Sequence, residues 1–486
     1  MSTLLSLIAD TGHDQLWLLL AAQRMGPHLN PYGATVFESN PPLAIWLSAL
    51  VVHAAALLHL SLSVTLKLGV TLVGAGSAAI CATLLRPTVT GKQLWLLGIA
   101  FLLIFGAVPV RDFGQRDHIL ALLVLPYLVA AAGRSVPISA RMVITLTAAL
   151  GVALKPHQAL IPIAVELTLL LKLRRPRLVE PAAFLAVAAA YLIAIYGLAP
   201  TYLSQILPVL RYTYWAFGHL SIIECLQTSI GLDVLLATTI ATYLCRWHQS
   251  PILLVAGMAA TVAYVAQGTG WYYQQLPAIT FLSLAIVVQL SKDLGAPYLA
   301  FETWVPRLPI PLAALTLLAF ALTIHFSAFH VTSRGLEQTQ STPDPSFFDG
   351  LAPGTAVATL TTSVDDTVPP AFRFHLVLAQ RYPHLWMLPA ILRNESGPRP
   401  GHAIPPDRLA ELDRLQHRFM VEDLTRWHPA LILVQRCQDP AVQCQVLKDR
   451  HDDLLAFFLR DPAFGDLFRQ YRFLRSSGPY DAYALN

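Results

Sequence analysis

Charge is what this chain has least of. Only 13% of its 486 residues are Asp, Glu, Lys or Arg, about half the share expected of a soluble domain. With 55% hydrophobic residues and a mean hydropathy of +0.54, that excludes an ordinary water-soluble enzyme and sets a membrane protein as the expectation. The net charge of +4 is spread over short loops, so no nucleic acid is expected as a partner. The five cysteines contain no C-x-x-C pair and no His/Cys metal spacing. No Gly-rich fingerprint follows a strand pattern, which argues against a nucleotide-linked substrate. Internal repeats and low-complexity tracts are absent too. Met1–Asp10 is too short for a signal peptide or for a span of roughly 20 residues.

What is present is a series of apolar stretches at 42–62, 65–85, 94–110, 118–133, 142–155, 158–172, 179–198, 229–246, 251–267, 274–291 and 308–329. Several sit at the short limit for crossing hydrocarbon, so charged flanks must decide. Lys172-Leu-Arg174-Arg175-Pro-Arg177 is the strongest basic loop and is expected to be cytoplasmic. Counting from it places 155–158, 111–118, 199–228, 268–273 and everything after 330 on the opposite side. Residues 42–62 then lie along the external interface and do not cross. About ten spans follow.

Composition changes near Ser333. Residues 334–486 carry many charges and prolines and no apolar run of span length. Thr355–Thr361 and Ala430–Gln435 read as strands, and Asp407–Arg426 has helical periodicity through Leu409, Leu412, Leu415, Phe419 and Leu424. The expected organisation is a membrane domain over 1–333 and a C-terminal soluble α/β domain over 334–486 on the external side. There Cys437 and Cys444 either bridge or remain two thiols. Cys81 and Cys245, in apolar stretches, read as inert.

The opening stretch Asp14–Leu43 carries the most specific pattern. Two acids, Asp14 and Glu38, bracket it, and Glu38-Ser-Asn-Pro-Pro-Leu43 leads into an apolar helix. An acid beside an apolar span, followed by such a box, resembles the first external loop of the GT-C superfamily (here about 11–64). Those integral-membrane glycosyltransferases take sugars from polyprenyl-phosphate carriers, as protein mannosyltransferases and aminoarabinose transferases do. The resemblance covers roughly residues 11–330 and is strongest over the first 120. It implies a mostly α, polytopic membrane protein with juxtamembrane helices in that loop. It also implies a helix ahead of the loop, which ten residues cannot supply, so an upstream start is expected.

The resemblance assigns Asp14 as the base that activates the acceptor hydroxyl, although an Asp at that point is also a good helix N-cap. It makes Glu38 a second acid that orients the acceptor or holds a divalent metal, Mg or Mn; as a bland alternative, Glu38 caps the following helix. Arg111-Asp112-Phe-Gly-Gln115-Arg116-Asp117-His118 is the densest polar cluster among the apolar stretches. Charge at membrane depth is costly, which makes a functional reading the default. Asp117 is the candidate that completes the acid set. Arg111, Arg116, His118, Lys155 and His157 are candidates for the donor phosphate, with interfacial snorkelling as the alternative for Lys155. Arg211, Tyr212, Trp271 and Tyr272 are candidates to line the donor sugar and lipid, against the plainer reading of an interfacial aromatic belt. Gln274 stands where relatives carry a His.

The expected function is transfer of a sugar from a polyprenyl-phosphate donor to a periplasmic glycan, lipid or protein acceptor. The protein is placed in a bacterial inner membrane with its active site facing the periplasm, and membrane lipid is the surrounding partner. Two rivals are a transporter or flippase of lipid-linked saccharide, which would need repeats, and a non-enzymatic membrane scaffold.

Overall fold

The computed structural model describes residues 10–295 and 343–486, apart from 26–28, 134–135, 173, 175–176, 217–219, 229–233, 235, 243–251, 398–401, 443, 445 and 448–449. The expected span at 308–329 and most of that at 229–246 lie outside the described residues, as does Cys245. Among the described residues the chain is mostly helical with one five-stranded sheet, and it divides into two compact units.

The first unit comprises Met1–Thr11, His53–Ala194 and Leu220–Thr332. Its central element is the helix Arg116–Ala132, buried along nearly its whole length. Around it pack the helices Leu62–Leu85, Ile138–Leu154, Ile252–Gln267 and Leu276–Gly295. Small residues set these crossings, as expected where backbones must approach without a hydrophobic drive between helices. A Cβ at Gly74 would lie 3.7 Å from Leu122, and one at Gly151 3.0 Å from Leu123. Ser77 donates to the Leu122 carbonyl at 2.7 Å. The side chains left outside are apolar: Leu72, Leu185 and Ile193 are each more than 70% exposed. Polar residues inside and bare aliphatics outside suit hydrocarbon and not water.

Only Leu62–Leu85 and Val179–Leu198, among the described residues, are both long and apolar enough to cross a bilayer unaided. Shorter apolar helices cover Leu43–Leu58, Gly91–Gly106, Ile138–Leu154, Pro156–Leu171 and Ile252–Gln267. The stretch expected to lie along the interface forms a 16-residue helix, Leu43–Leu58, ending at His59 with φ of 53°. That left-handed residue ends the helix, which has the same length as Gly91–Gly106 and Ile252–Gln267.

The second unit comprises Gly12–Val52, Ile195–His219 and Ser333–Asn486. Its sheet consists of β1 (Ala356–Leu360), β2 (Val377–Leu378), β3 (Leu431–Gln435), β4 (Tyr471–Ser477) and β5 (Tyr480–Leu485), in the order β2-β1-β3-β5-β4. β1 is parallel to β2 and β3, while β5 runs antiparallel to both β3 and β4. The two expected strand runs are β1 and β3. β3, Leu-Ile-Leu-Val-Gln, is buried at every position, as a central strand covered on both faces must be. The periodic stretch 407–426 lies in a 22-residue helix, Pro406–Trp427, with Pro at its first position and His428 in the left-handed region at its end. Leu412, Phe419 and Leu424 are buried on it, and so are the polar Gln416, His417 and Asp423. Asp423 is held by Arg381, which donates from its backbone N–H at 2.9 Å and from Nε at 2.8 Å. Burial pushes the Asp423 carboxyl up to about 6, with Arg381 opposing.

Segments far apart in the chain join this unit. Phe37 packs on Trp386 and Phe419 at ring distances of 5.5 and 4.8 Å, and its N–H donates to the Arg381 carbonyl at 2.6 Å. Arg24 donates to the carbonyls of Thr35, Gln380 and Leu378 and lies over the Trp427 ring at 5.1 Å. Burial lowers its guanidinium to about 10. The opening loop thus belongs to the same compact unit as the C-terminal sheet. Cys437 and Cys444 form a disulfide with Cα atoms 5.7 Å apart.

Candidate functional site

The polar cluster of the first unit is assembled by two interruptions of its helices. After the helix Gly91–Gly106 the chain makes a tight turn at Val110–Asp112 and reaches Gly114, whose φ of 87° excludes most side chains. A Cβ there would also meet Val70 at 3.1 Å. The turn delivers Gln115 as cap of the central helix, its Oε1 accepting from Arg116 N–H at 2.7 Å and from Arg116 Nε at 3.3 Å. Asp117 then falls in the first helical turn, fully buried, where the helix dipole favours an anion.

The second interruption is Lys155-Pro156. A residue ahead of proline is pushed out of the helical region, and Lys155 takes φ −141°, ψ 80°. The helix Ile138–Leu154 ends there, and the Lys155 ammonium turns onto Asp117 at 3.2 Å and over the Tyr273 ring at 5.1 Å. Lys155 and Arg116 are both under 10% exposed. His157, on the following turn, is within electrostatic reach of Lys155, Asp117 and Arg116. Tyr272 donates to the Val108 carbonyl at 2.5 Å, which ties the 271–275 turn to the segment leading into Arg111. Thr269 donates to Gln274, and Gln158 is fully buried with no hydrogen bond to either amide atom among the described residues.

The cluster therefore holds two strong cations, Lys155 and Arg116, with one carboxylate committed to Lys155. Such a site receives an anion more readily than it abstracts a proton. His118 engages its own turn through one ring nitrogen. Its Nδ1 accepts from the Gly114 N–H at 3.1 Å, and its ring lies 5.0 and 6.1 Å from Phe113 and Phe105. It closes the turn.

The second unit contains the two acids of the opening loop. Glu38 is buried and saturated: Trp17 Nε1 donates to Oε2, while Oε1 accepts from the Ser39 hydroxyl at 3.1 Å, the Asn40 N–H at 2.8 Å and the Asn40 side chain. Tyr32 donates to the Asn40 carbonyl at 2.6 Å. The acid-x-Asn-Pro-Pro box is thus a hydrogen-bonded knot that sets the entry to the helix Leu43–Leu58. Among the described residues no three His, Cys, Asp or Glu side chains are grouped to hold a metal ion.

Asp14 is different. It stands in the first turn of the helix His13–Met25 with its side chain 22% exposed. Its neighbour His13 reaches it from Nε2 at 3.4 Å, and from Nδ1 donates to Asp365 at 2.9 Å. Burial drives His384, electrostatically coupled to both Asp14 and His13, down to about 3, so its imidazole is neutral. Asp366 accepts from Tyr480 and Thr361, and burial raises its carboxyl to about 7.

Of the remaining candidates, Trp271 lies 5.9 Å from Tyr273 in the first unit. Arg211 and Tyr212 belong to the second, where the guanidinium is 5.9 Å from the Tyr212 ring and the Tyr212 carbonyl accepts from Trp215 at 2.6 Å. Arg111, in the 110–112 turn, is half-buried. Sequence reasoning passed over His13, Asp365, Tyr273 and Gln158. A His directly before the key acid was a usable signal for the first; nothing local marked Asp365.

Two crystal structures of ArnT from Cupriavidus metallidurans, one in the apo state and one bound to undecaprenyl phosphate, match this fold. Each gives a TM-score of 0.53, at 13% and 14% sequence identity. The matches cover 99% and 98% of this chain and 95% and 94% of theirs. No protein-family model matches the sequence, and no curated protein does. The chain therefore shares the overall fold of these two structures along nearly its whole length.

Proposed function

We propose that this protein is a membrane glycosyltransferase that moves a sugar from a polyprenyl-phosphate donor to a periplasmic glycan, lipid or protein. The observation that carries the reading is the fold shared along nearly the whole chain with ArnT, one structure of which holds undecaprenyl phosphate. The buried cationic cluster of Lys155 and Arg116 supports it, because a phosphate monoester leaving group needs fixed positive charge.

In this reading Asp14 takes the proton of the acceptor hydroxyl as that oxygen forms its bond to the anomeric carbon. The bond from that carbon to the phosphate oxygen breaks, and its electron pair leaves with polyprenyl phosphate. Arg116 and Lys155 hold the departing phosphate, while Asp117 keeps the Lys155 ammonium in place. Glu38, with both oxygens engaged by Trp17, Ser39 and Asn40, shapes the loop.

Transfer assays in proteoliposomes with a panel of polyprenyl-phosphate sugars test the proposal. Asp14→Asn should lower turnover roughly 10²–10⁴-fold with donor binding unchanged. Arg116→Ala should weaken donor binding instead. An Asp14→Asn protein that folds and keeps most of its activity would sink the assignment.

A further inference from the structure

The strongest unexplained feature is an imidazole held between two carboxylates that come from opposite ends of the chain. His13 faces Asp14 through Nε2 at 3.4 Å and Asp365 through Nδ1 at 2.9 Å, across a separation of 352 residues. A neutral imidazole has one N–H, so one of its nitrogens would turn a lone pair toward a carboxylate. The imidazolium has two and satisfies both. We propose that His13 is a positioning residue for Asp14: locked as a cation by Asp365, it orients the Asp14 carboxylate and keeps it ionised. The inference rests on the transferase reading for the role of Asp14.

The charges around the pair agree with this. Asp14 comes from the same helix as His13, Asp365 and Asp366 from the turn ahead of the helix Val368–Arg373, and His384 from the loop after β2. His384 is neutral in its buried setting, and Asp366 holds its proton up to about 7. The His13 imidazole thus faces both carboxylates, Asp14 and Asp365. Asp365 is fixed in turn, being 7% exposed and adjacent to the carboxyl that Tyr480 and Thr361 grip. The partner that fixes the acid of the opening loop thus comes from the C-terminal segment. Both lie in one compact unit.

Two measurements on the full-length protein test the proposal. In the first, the protein carries ¹⁵N-labelled histidine, and the spectrum of His13→Gln identifies the His13 signals. Both ring nitrogens of His13 should remain protonated at roughly pH 7.5, about a unit above an ordinary imidazole. Asp365→Asn should restore ordinary titration. A neutral His13 ring at that pH overturns the proposal. In the second, His13→Gln and Asp365→Asn should each lower kcat roughly 10–100-fold, the cost of a misplaced catalytic group, with KM for the donor unchanged. Both should also move the acid limb of the rate profile to higher pH, because Asp14 has lost its cation. Wild-type kcat with an unmoved profile in folded variants overturns it as well. A wild-type protein inactive with every donor, yet with His13 doubly protonated, would remove the transferase reading while supporting the His13–Asp365 pairing.

Discussion

Replacing Lys155 by Met leaves Asp117 as a fully buried carboxylate without its ion-pair partner. Neither Asp117 oxygen has a hydrogen bond among the described residues, so the Lys155 ammonium at 3.2 Å carries most of its compensation. Coulomb attraction at that distance with an effective dielectric of ~20 is about 5 kcal/mol. Stranding one partner of a buried pair costs about 3–5 kcal/mol in measured cases. Lys155→Met should therefore destabilise the first unit by that amount. Asp117→Asn in the same background removes the stranded charge and should recover most of the loss, which gives a large coupling energy in the double-mutant cycle. Denaturant titration of the detergent-solubilised protein, followed by tryptophan fluorescence, reads all four corners of the cycle. A Lys155→Met protein within about 1 kcal/mol of wild type, or strictly additive single effects, would refute the argument that Asp117 depends on Lys155.

Three further outcomes follow from the packing. Folding raises the Asp366 carboxyl from 3.8 to about 7, so the folded state binds this proton more tightly than the unfolded one. Its contribution is complete below the unfolded value and is lost as pH rises from there to about 7; Asp366→Asn should therefore flatten the decline in thermal stability over roughly pH 4 to 7. Cys437→Ser with Cys444→Ser opens a loop of sequence separation 7, which by chain entropy should cost about 2–3 kcal/mol and be matched by reductant acting on the wild type. Gly257→Ala places a Cβ 2.6 Å from Leu282 at the crossing of the helices Ile252–Gln267 and Leu276–Gly295, and should cost about 1–3 kcal/mol by overpacking in the same titration.

Much of the architecture was legible because it rests on local physics. Low charge and high hydropathy identify a membrane protein whatever its topology. The 407–426 helix showed itself through its periodicity, and β1 and β3 through short apolar runs between turn residues. Lys155-Pro156 announced a helix break, since the clash with proline acts on its immediate neighbour. The β4–β5 hairpin, Tyr471–Leu485, went unread, because its charges and largely exposed first strand masked the pattern and only Gly478, at φ 53°, marked the turn.

By itself the sequence determined the class of molecule, the acids of the opening loop, and the polar residues that hydrocarbon would not tolerate without a reason. It could not decide which of those residues meet. Asp14 and Glu38 are both acids of the opening loop. The fold saturates Glu38 with the donors of its own knot and leaves Asp14 in a partly open first turn, beside a histidine tied to Asp365. His118 and Lys155 were both candidates for a phosphate, yet one closes a glycine turn and the other carries the buried charge. Pairings across such separations depend on how helices and strands pack, and packing depends on shape over the whole unit. No window of sequence contains that information, so only the tertiary structure could select the partners.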